Sequence, residues 1–183
     1  MYRGTRFRSR LEARWAAFFD ALNWEWAYEP IDLDWYIPDF ILRFPHAPVV
    51  VEVKPDMDRA ALWTHAPKIA RSGWAGEFLI VGSALFEDNG YGRGHAVGLL
   101  GDRSDAPPGE AIAGDGNVFR CLSCGRLSLL HDDCSYHCRV SGCWDGQNHI
   151  GDLDAGEVDG LWAAAGNRVQ WRGSATVAPR TAE

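Results

Sequence analysis

Cysteine is missing from the first 120 residues of this 183-residue chain, and all five then fall between positions 121 and 143. Positive charge is also scarce, with 18 Lys+Arg against 25 Asp+Glu and a net charge of −7. That balance excludes a protein that coats nucleic acid by bulk charge, though not one that acts on it locally. No apolar run approaches the roughly 18 residues of a membrane span, so no membrane is expected among the partners. The N-terminal stretch is rich in Arg, but Glu12 and Asp20 interrupt any apolar core, which argues against a secretory signal. A cytoplasmic protein is therefore expected, and in a reducing compartment five crowded Cys point to metal rather than to disulfides.

Hydrophobic residues make up 46% of the chain and charged ones 23%, the balance of a globular protein with a real core. The length suits one ordinary domain plus something small. Charge is uneven: residues 1–14 carry Arg3, Arg6, Arg8, Arg10 and Arg14 against Glu12, a net of +4, which leaves −11 for the rest. A basic arm on an acidic body can reach phosphate, or simply keep the terminus soluble.

Apolar residues Leu11, Trp15, Phe18, Phe19 and Leu22 recur at helical spacing after Ser9, and Glu12 three residues on completes a capping-box pattern. Residues 24–28 and 39–44 alternate as strands, and the β-branched run 49–54 demands one. Residues 58–72 read as helix broken or kinked at Pro67, 77–81 as strand and 95–100 as a further strand. Glycines 90, 92, 94, 98 and 101, followed by Pro107, Pro108, Gly109, Gly114 and Gly116, read as loop and linker. A helix over 157–165, a strand over 168–171 and a disordered tail close the chain.

Period two puts Glu52 and Lys54 on one face of the 49–54 strand with Val50, and Val49, Val51 and Val53 on the other. A carboxylate and an ammonium at the end of an apolar strand are costly without a partner. Asp39, after Pro38 at the start of the neighbouring strand, and Glu52 could hold Mg²⁺, which favours carboxylate oxygens and activates water. Lys54 would then position the attacking water or offset charge building on a phosphoryl group. The competing account makes Asp39 a turn residue, Glu52 and Lys54 a surface ion pair, and Glu12 only the capping partner of Ser9.

Pro38-Asp39 followed by Glu52-Val53-Lys54, behind a helix bearing Glu12, resembles the PD-(D/E)xK nuclease superfamily. The segments Ser9-Arg10-Leu11-Glu12-Ala13-Arg14-Trp15, Tyr28-Glu29-Pro30 and Pro38-Asp39-Phe40 are similar to small phage and mobile-element members and to TnsA-like transposon endonucleases. The resemblance covers roughly residues 5–82. It implies an α/β, restriction-endonuclease-like αβββαβ core hydrolysing phosphodiester bonds in DNA. It also implies Mg²⁺ or Mn²⁺ held by Glu12, Asp39, Glu52 and the backbone carbonyl of Val53, with Lys54 assisting catalysis. The chain departs from the RecB-like branch, because no Gln and Tyr pair lies between positions 58 and 72; His65, Lys68 and Arg71 lie there instead.

Cys121-x2-Cys124-Gly125 has the form of half a zinc knuckle. The preferred second half is Cys138-x4-Cys143, with Cys134 or His137 as alternative ligands. Such a structural Zn²⁺ would stabilise a small module that buries little core of its own. The expected organisation is a nuclease-like core over 1–100, a linker over 101–117 and a zinc module over 118–148. A C-terminal helix and strand over 149–173 and a tail over 174–183 follow. Trp63, Trp74 and Trp144 are candidates for stacking on bases, with core packing the plainer expectation. Nucleic acid, DNA first, is the expected partner, with a homodimer or a protein partner also open; a non-catalytic adaptor, or an accessory nuclease subunit of a transposase or helicase complex, is the rival function.

Overall fold

The computed structural model describes residues 1–45, 47–86, 96–102, 112–131, 138–143, 150–151 and 153–170. Glycines 90, 92 and 94, most of the expected linker, Cys134, His137, Trp144, Trp171 and the tail lie outside the described residues. Among those described, the elements run α1 (Arg10–Ala21), β1 (Trp26–Tyr28), β2 (Phe40–Leu42), β3 (Val49–Val53), α2 (Arg59–Trp63), α3 (Ala66–Arg71) and β4 (Phe78–Val81). They continue β5 (Ala96–Asp102), β6 (Ile112–Cys121), β7 (Leu127–His131), β8 (Ile150–Gly151) and α4 (Ala155–Arg168).

The strands form one eight-stranded, mixed sheet in the order β1 to β7, with β8 pairing β6 off that path. Only β3 and β4 are parallel, and α2 and α3 make the crossover that a parallel pair needs. Val49, Val51, Val53, Leu79 and Val81 face a core built with α1 and α4. Val50, Phe78 and Ile80 face a second core with Leu62, Ala66 and Ile69 of α2 and α3. This is why the 49–54 run is β-branched without a break: β3 is buried on both faces. Each such side chain contributes roughly 1.5–3 kcal/mol on burial.

Local signals act as read. Ser9 caps α1, its hydroxyl accepting from the Glu12 N–H at 3.0 Å. Pro67 sits in the first turn of α3, where a missing N–H costs nothing, so the 58–72 helix divides in two. The buried Trp15 indole donates to Gly82 O at 2.8 Å and packs, tilted by 45°, against Trp162 of α4 at 4.5 Å between ring centres. The helix α4 runs on to Arg168, with Asp154 as its N-cap. The strand expected from position 168 is thereby corrected.

Residues 112–117, expected to be linker, are strand, and Gly101 and Asp102 end β5. Their glycines mark close approach rather than looseness: a Cβ on Gly98 would lie 2.2 Å from Ile80 O, and one on Gly116 would lie 3.0 Å from Leu100 Cβ. Among the described residues the cysteine segment has no separate core. Cys121, Leu129, Leu130, Cys138 and Val140 belong to the same buried cluster as Trp15 and Phe19. No helix of the described residues is long and apolar enough to cross a membrane.

Candidate functional site

Four acidic side chains are buried among the described residues: Glu12 (8% exposed), Asp39 (7%), Glu52 (3%) and Asp115. Asp115 is neutralised by a two-pronged contact with Arg59, both bonds at 2.8 Å. The other three are the carboxylates singled out by sequence, and local structure brings them to one end of β2 and β3. Phe40 pairs with Val51, so the register carried one residue further sets Asp39 opposite Glu52. The Asp39 Oδ2 accepts from the Val53 N–H at 2.8 Å. Val53 thus meets the site through its N–H.

Glu52 lies with Val50 on the α2–α3 face and is held from three sides. Tyr36 donates its hydroxyl to Oε2 at 2.8 Å, Lys54 Nζ makes a short contact with Oε1, and Lys68 Nζ lies 3.8 Å from the same oxygen. The whole chain has only two lysines against 16 arginines, and both of them attend Glu52. Glu12 approaches from α1 on the other face, where its Oε2 accepts from the Tyr28 hydroxyl at 2.6 Å and the Arg8 N–H at 3.1 Å. The capping box therefore closes on Arg8 rather than on Ser9. Arg8 also reaches Asp39 Oδ1 at 3.0 Å and pairs with Glu29.

Electrostatics couples the group. Burial is the main force lifting the Asp39 carboxyl to about 6; the Val53 N–H pulls the other way, and the charges of Glu52 and Glu12 lift it further. Arg8 offsets little of this, since its side chain is 61% exposed and well screened. Burial likewise raises the Tyr28 phenol to about 12, helped by its bond to Glu12, and raises Tyr36, helped by the charge of Glu52. Both phenols stay protonated as donors. Tyr36, Tyr28 and Arg8 were missed as site residues because their roles depend on long-range contacts that no local pattern records. His65 pairs with Asp56 at 2.9 Å, so it is not on the carboxylates.

The carboxylates nevertheless do not close into one ligand cluster. Among the described residues, the group of His, Cys, Asp or Glu whose donor atoms all lie within 4.8 Å of one another is Cys121, Cys124 and Cys143. These three cysteines could hold a metal such as zinc. Cys138 is next to them, its Sγ 3.9 Å from that of Cys124.

The thiols come from two turns with the same backbone plan. In the first, Gly125 (φ +70°) donates to Cys121 O at 2.7 Å and Cys121 donates to Arg126 O at 2.9 Å. In the second, Gly142 (φ +67°) donates to Cys138 O at 2.6 Å and Cys138 donates to Cys143 O at 3.2 Å. Each turn needs glycine at the left-handed position. The first turn offers Sγ atoms at its first and fourth residues, the second at its first and sixth. Ser141 occupies the fourth place of the second turn, and its Oγ lies 3.4 Å from Cys124 Sγ. Burial pushes the Cys124 thiol up, but hydrogen bonds from Ser141, the Arg126 backbone, Cys121 and Cys138 outweigh it and bring it down to about 6. Burial raises Cys121 to about 11.

Compared with protein-family models, curated proteins and solved structures, the chain matches none. What it can do must therefore be argued from the two sites themselves.

Proposed function

We propose that the protein is a metal-dependent endonuclease that hydrolyses phosphodiester bonds in DNA, with Mg²⁺ or Mn²⁺ at the carboxylate site. The observation that carries this reading is the burial of Glu12, Asp39 and Glu52 around one strand end, with both lysines of the chain drawn to Glu52. Burial above all, and then the charges of Glu52 and Glu12, raises Asp39 and makes its ionised form costly. A hard divalent cation fits this donor set, because anionic oxygen ligands are what it needs. Glu12, Asp39 and Glu52 would hold it, and it would supply Lewis-acid activation of water and phosphate.

The chain's own residues do the rest. Tyr36 fixes one Glu52 oxygen and leaves the other facing Lys54. Lys54 is placed to donate a hydrogen bond to the attacking water or to a phosphoryl oxygen as charge develops. Lysine suits that task better than arginine because its ammonium is compact and can give up a proton. Val53 holds Asp39 in line through the backbone. Element order α1, β1, β2, β3, α2–α3, β4 agrees with the αβββαβ core that the superfamily resemblance implies. In this reading Cys121, Cys124, Cys138 and Cys143 bind a structural Zn²⁺ with no open position.

A specific observation favours the rival reading, a non-catalytic nucleic-acid or protein adaptor. Every carboxylate is already engaged by a protein donor, and the three do not form a cluster within 4.8 Å. A cleavage panel decides between them. Single-stranded, duplex and branched DNA and RNA are incubated with Mg²⁺, Mn²⁺ or EDTA, using wild type and Lys54→Ala. Cleavage that needs the cation and Lys54 supports the nuclease; its absence from every substrate leaves the adaptor.

A further inference from the structure

The carboxylate site has an exposed aromatic neighbour that its chemistry does not use. Leu33 and Tyr36 close a two-residue turn, Leu33 N–H to Tyr36 O at 2.9 Å and Tyr36 N–H to Leu33 O at 3.0 Å. Trp35, the second residue of that turn, has φ +59°, in the left-handed region that favours Gly or Asn. Its side chain is 101% exposed. A bulky residue in that conformation is strained, and a fully solvated indole recovers nothing from packing. The turn is nonetheless tied to the site. Tyr36, the next residue, is buried with its hydroxyl on Glu52, and Lys68 lies over its ring at 4.9 Å.

Two further apolar side chains are exposed on the segments entering and leaving this region, Ile37 after the turn and Met57 shortly after Lys54. These exposed apolar residues thus adjoin in sequence Tyr36 and Lys54, which meet Glu52 together with Lys68, on a protein whose net charge is −7. Phosphate attracted by those cations and an aromatic face free beside them are the two elements of single-strand recognition. Stacking needs a base whose face is open, which a continuous duplex does not offer. The aromatic residues expected to do this were others. Of these, Trp63 is 42% exposed at the end of α2, Trp74 is half-buried with its indole on Glu77 O, and Trp144 lies outside the described residues.

We infer that Trp35 is a stacking platform for an unpaired base, so that the site receives single-stranded or frayed nucleic acid beside the phosphate held by the lysines. The inference rests on the nucleic-acid reading of the carboxylate site. It goes beyond that reading by naming the strand state of the substrate and a residue outside the cation site that selects it.

The test is binding of the full chain to a fluorescein-labelled ten-nucleotide oligo-dT, and to a blunt duplex of the same length, by anisotropy in EDTA. Trp35→Gly and Trp35→Ala are each expected to weaken single-strand binding about tenfold, in the range for loss of one base–aromatic stack. Trp35→Phe keeps it within about threefold, since a ring remains, and duplex binding moves less than that. Trp35→Gly also relieves the turn, so its thermal midpoint should rise by about 2–4 °C while its affinity falls. A structural role would move both in the same direction. Unchanged single-strand affinity in Trp35→Gly overturns the inference and turns Trp35 toward a protein partner. Absence of single-strand binding by wild type overturns it as well.

Failure of the nuclease reading gives a different result. Trp35-dependent binding without cleavage in Mg²⁺ or Mn²⁺ keeps the stacking site and removes the hydrolysis. Lys54-dependent cleavage with Trp35-independent binding does the reverse.

Discussion

Glu12, Asp39 and Glu52 reach the carboxylate site from α1, the start of β2 and the end of β3, and each is held by donors from other elements: Tyr28, Arg8, Val53, Tyr36. The thiols of Cys121, Cys124, Cys138 and Cys143 come instead from two short turns that repeat one hydrogen-bond plan, with few outside partners. The carboxylates, each held by its own protein donors, do not converge within 4.8 Å, while the sulfurs of Cys121, Cys124 and Cys143 do. The difference follows from chemistry. Thiols are weak hydrogen-bonding groups that tolerate one another when protonated, whereas ionised carboxylates repel and must each be satisfied separately. The thiols of Cys121, Cys124 and Cys143 could hold a metal such as zinc, whereas a cation at the carboxylates is the proposal made above.

The largest expected effect lies at the thiols. If the cysteines hold zinc as proposed, its removal takes away about 10 kcal/mol of binding free energy, comparable to the whole stability of a domain. Because Cys121 and Cys138 share a core with Trp15, a zinc-selective chelator should lower hydrogen-exchange protection in α1 together with that of β6 and β7. Loss confined to the thiol turns would break the comparison, by showing that region to be independent.

At the carboxylates, Glu52→Ala or Lys54→Ala should cut cleavage by about 10²–10³-fold, roughly 3–4 kcal/mol, with the circular dichroism spectrum unchanged. Full activity of Lys54→Ala would remove the catalytic half of the comparison.

The next effect is a pH dependence. Burial first, then neighbouring charges, raises Asp39 from 3.8 to about 6 in the folded chain, which corresponds to about 3 kcal/mol. A raised carboxyl contributes stability that is fully present below pH 3.8 and is lost as pH rises through about 6. Asp39→Asn should abolish this loss, flattening denaturation midpoints over pH 4–6.5 in cation-free buffer. A wild-type slope that the substitution leaves untouched would mean that Asp39 does not feel its neighbours.

The smallest effect sharpens the picture. Tyr36→Phe removes one hydrogen bond to a charged group and should cost about 1.5–3 kcal/mol of stability or less, read by urea denaturation. If Tyr36 only fills space, Phe would be neutral.

Much of this was legible in the chain. The α1 cap, the division at Pro67, the two-faced β3 and the identity of the buried carboxylates follow from local pattern, because period and capping are local physics. The glycines around position 100 misled, since Gly98 and Gly116 look like loop signals and are in fact sites where strands approach too closely for a Cβ. The strand expected from position 168 was misread, since α4 runs on to Arg168. Ser141 beside Cys124 and Arg8 beside Asp39 were equally invisible.

By itself, then, the amino-acid order determined which residues carry charge into the core and which turns present sulfur, because burial preference and turn geometry are set by residue type and spacing. Only the tertiary structure decided that both lysines meet at Glu52, that the carboxylates stay apart on two faces, and that Trp35 is left in water beside them. Those outcomes depend on strand register and helix packing, which assemble contacts between residues that are distant in the chain.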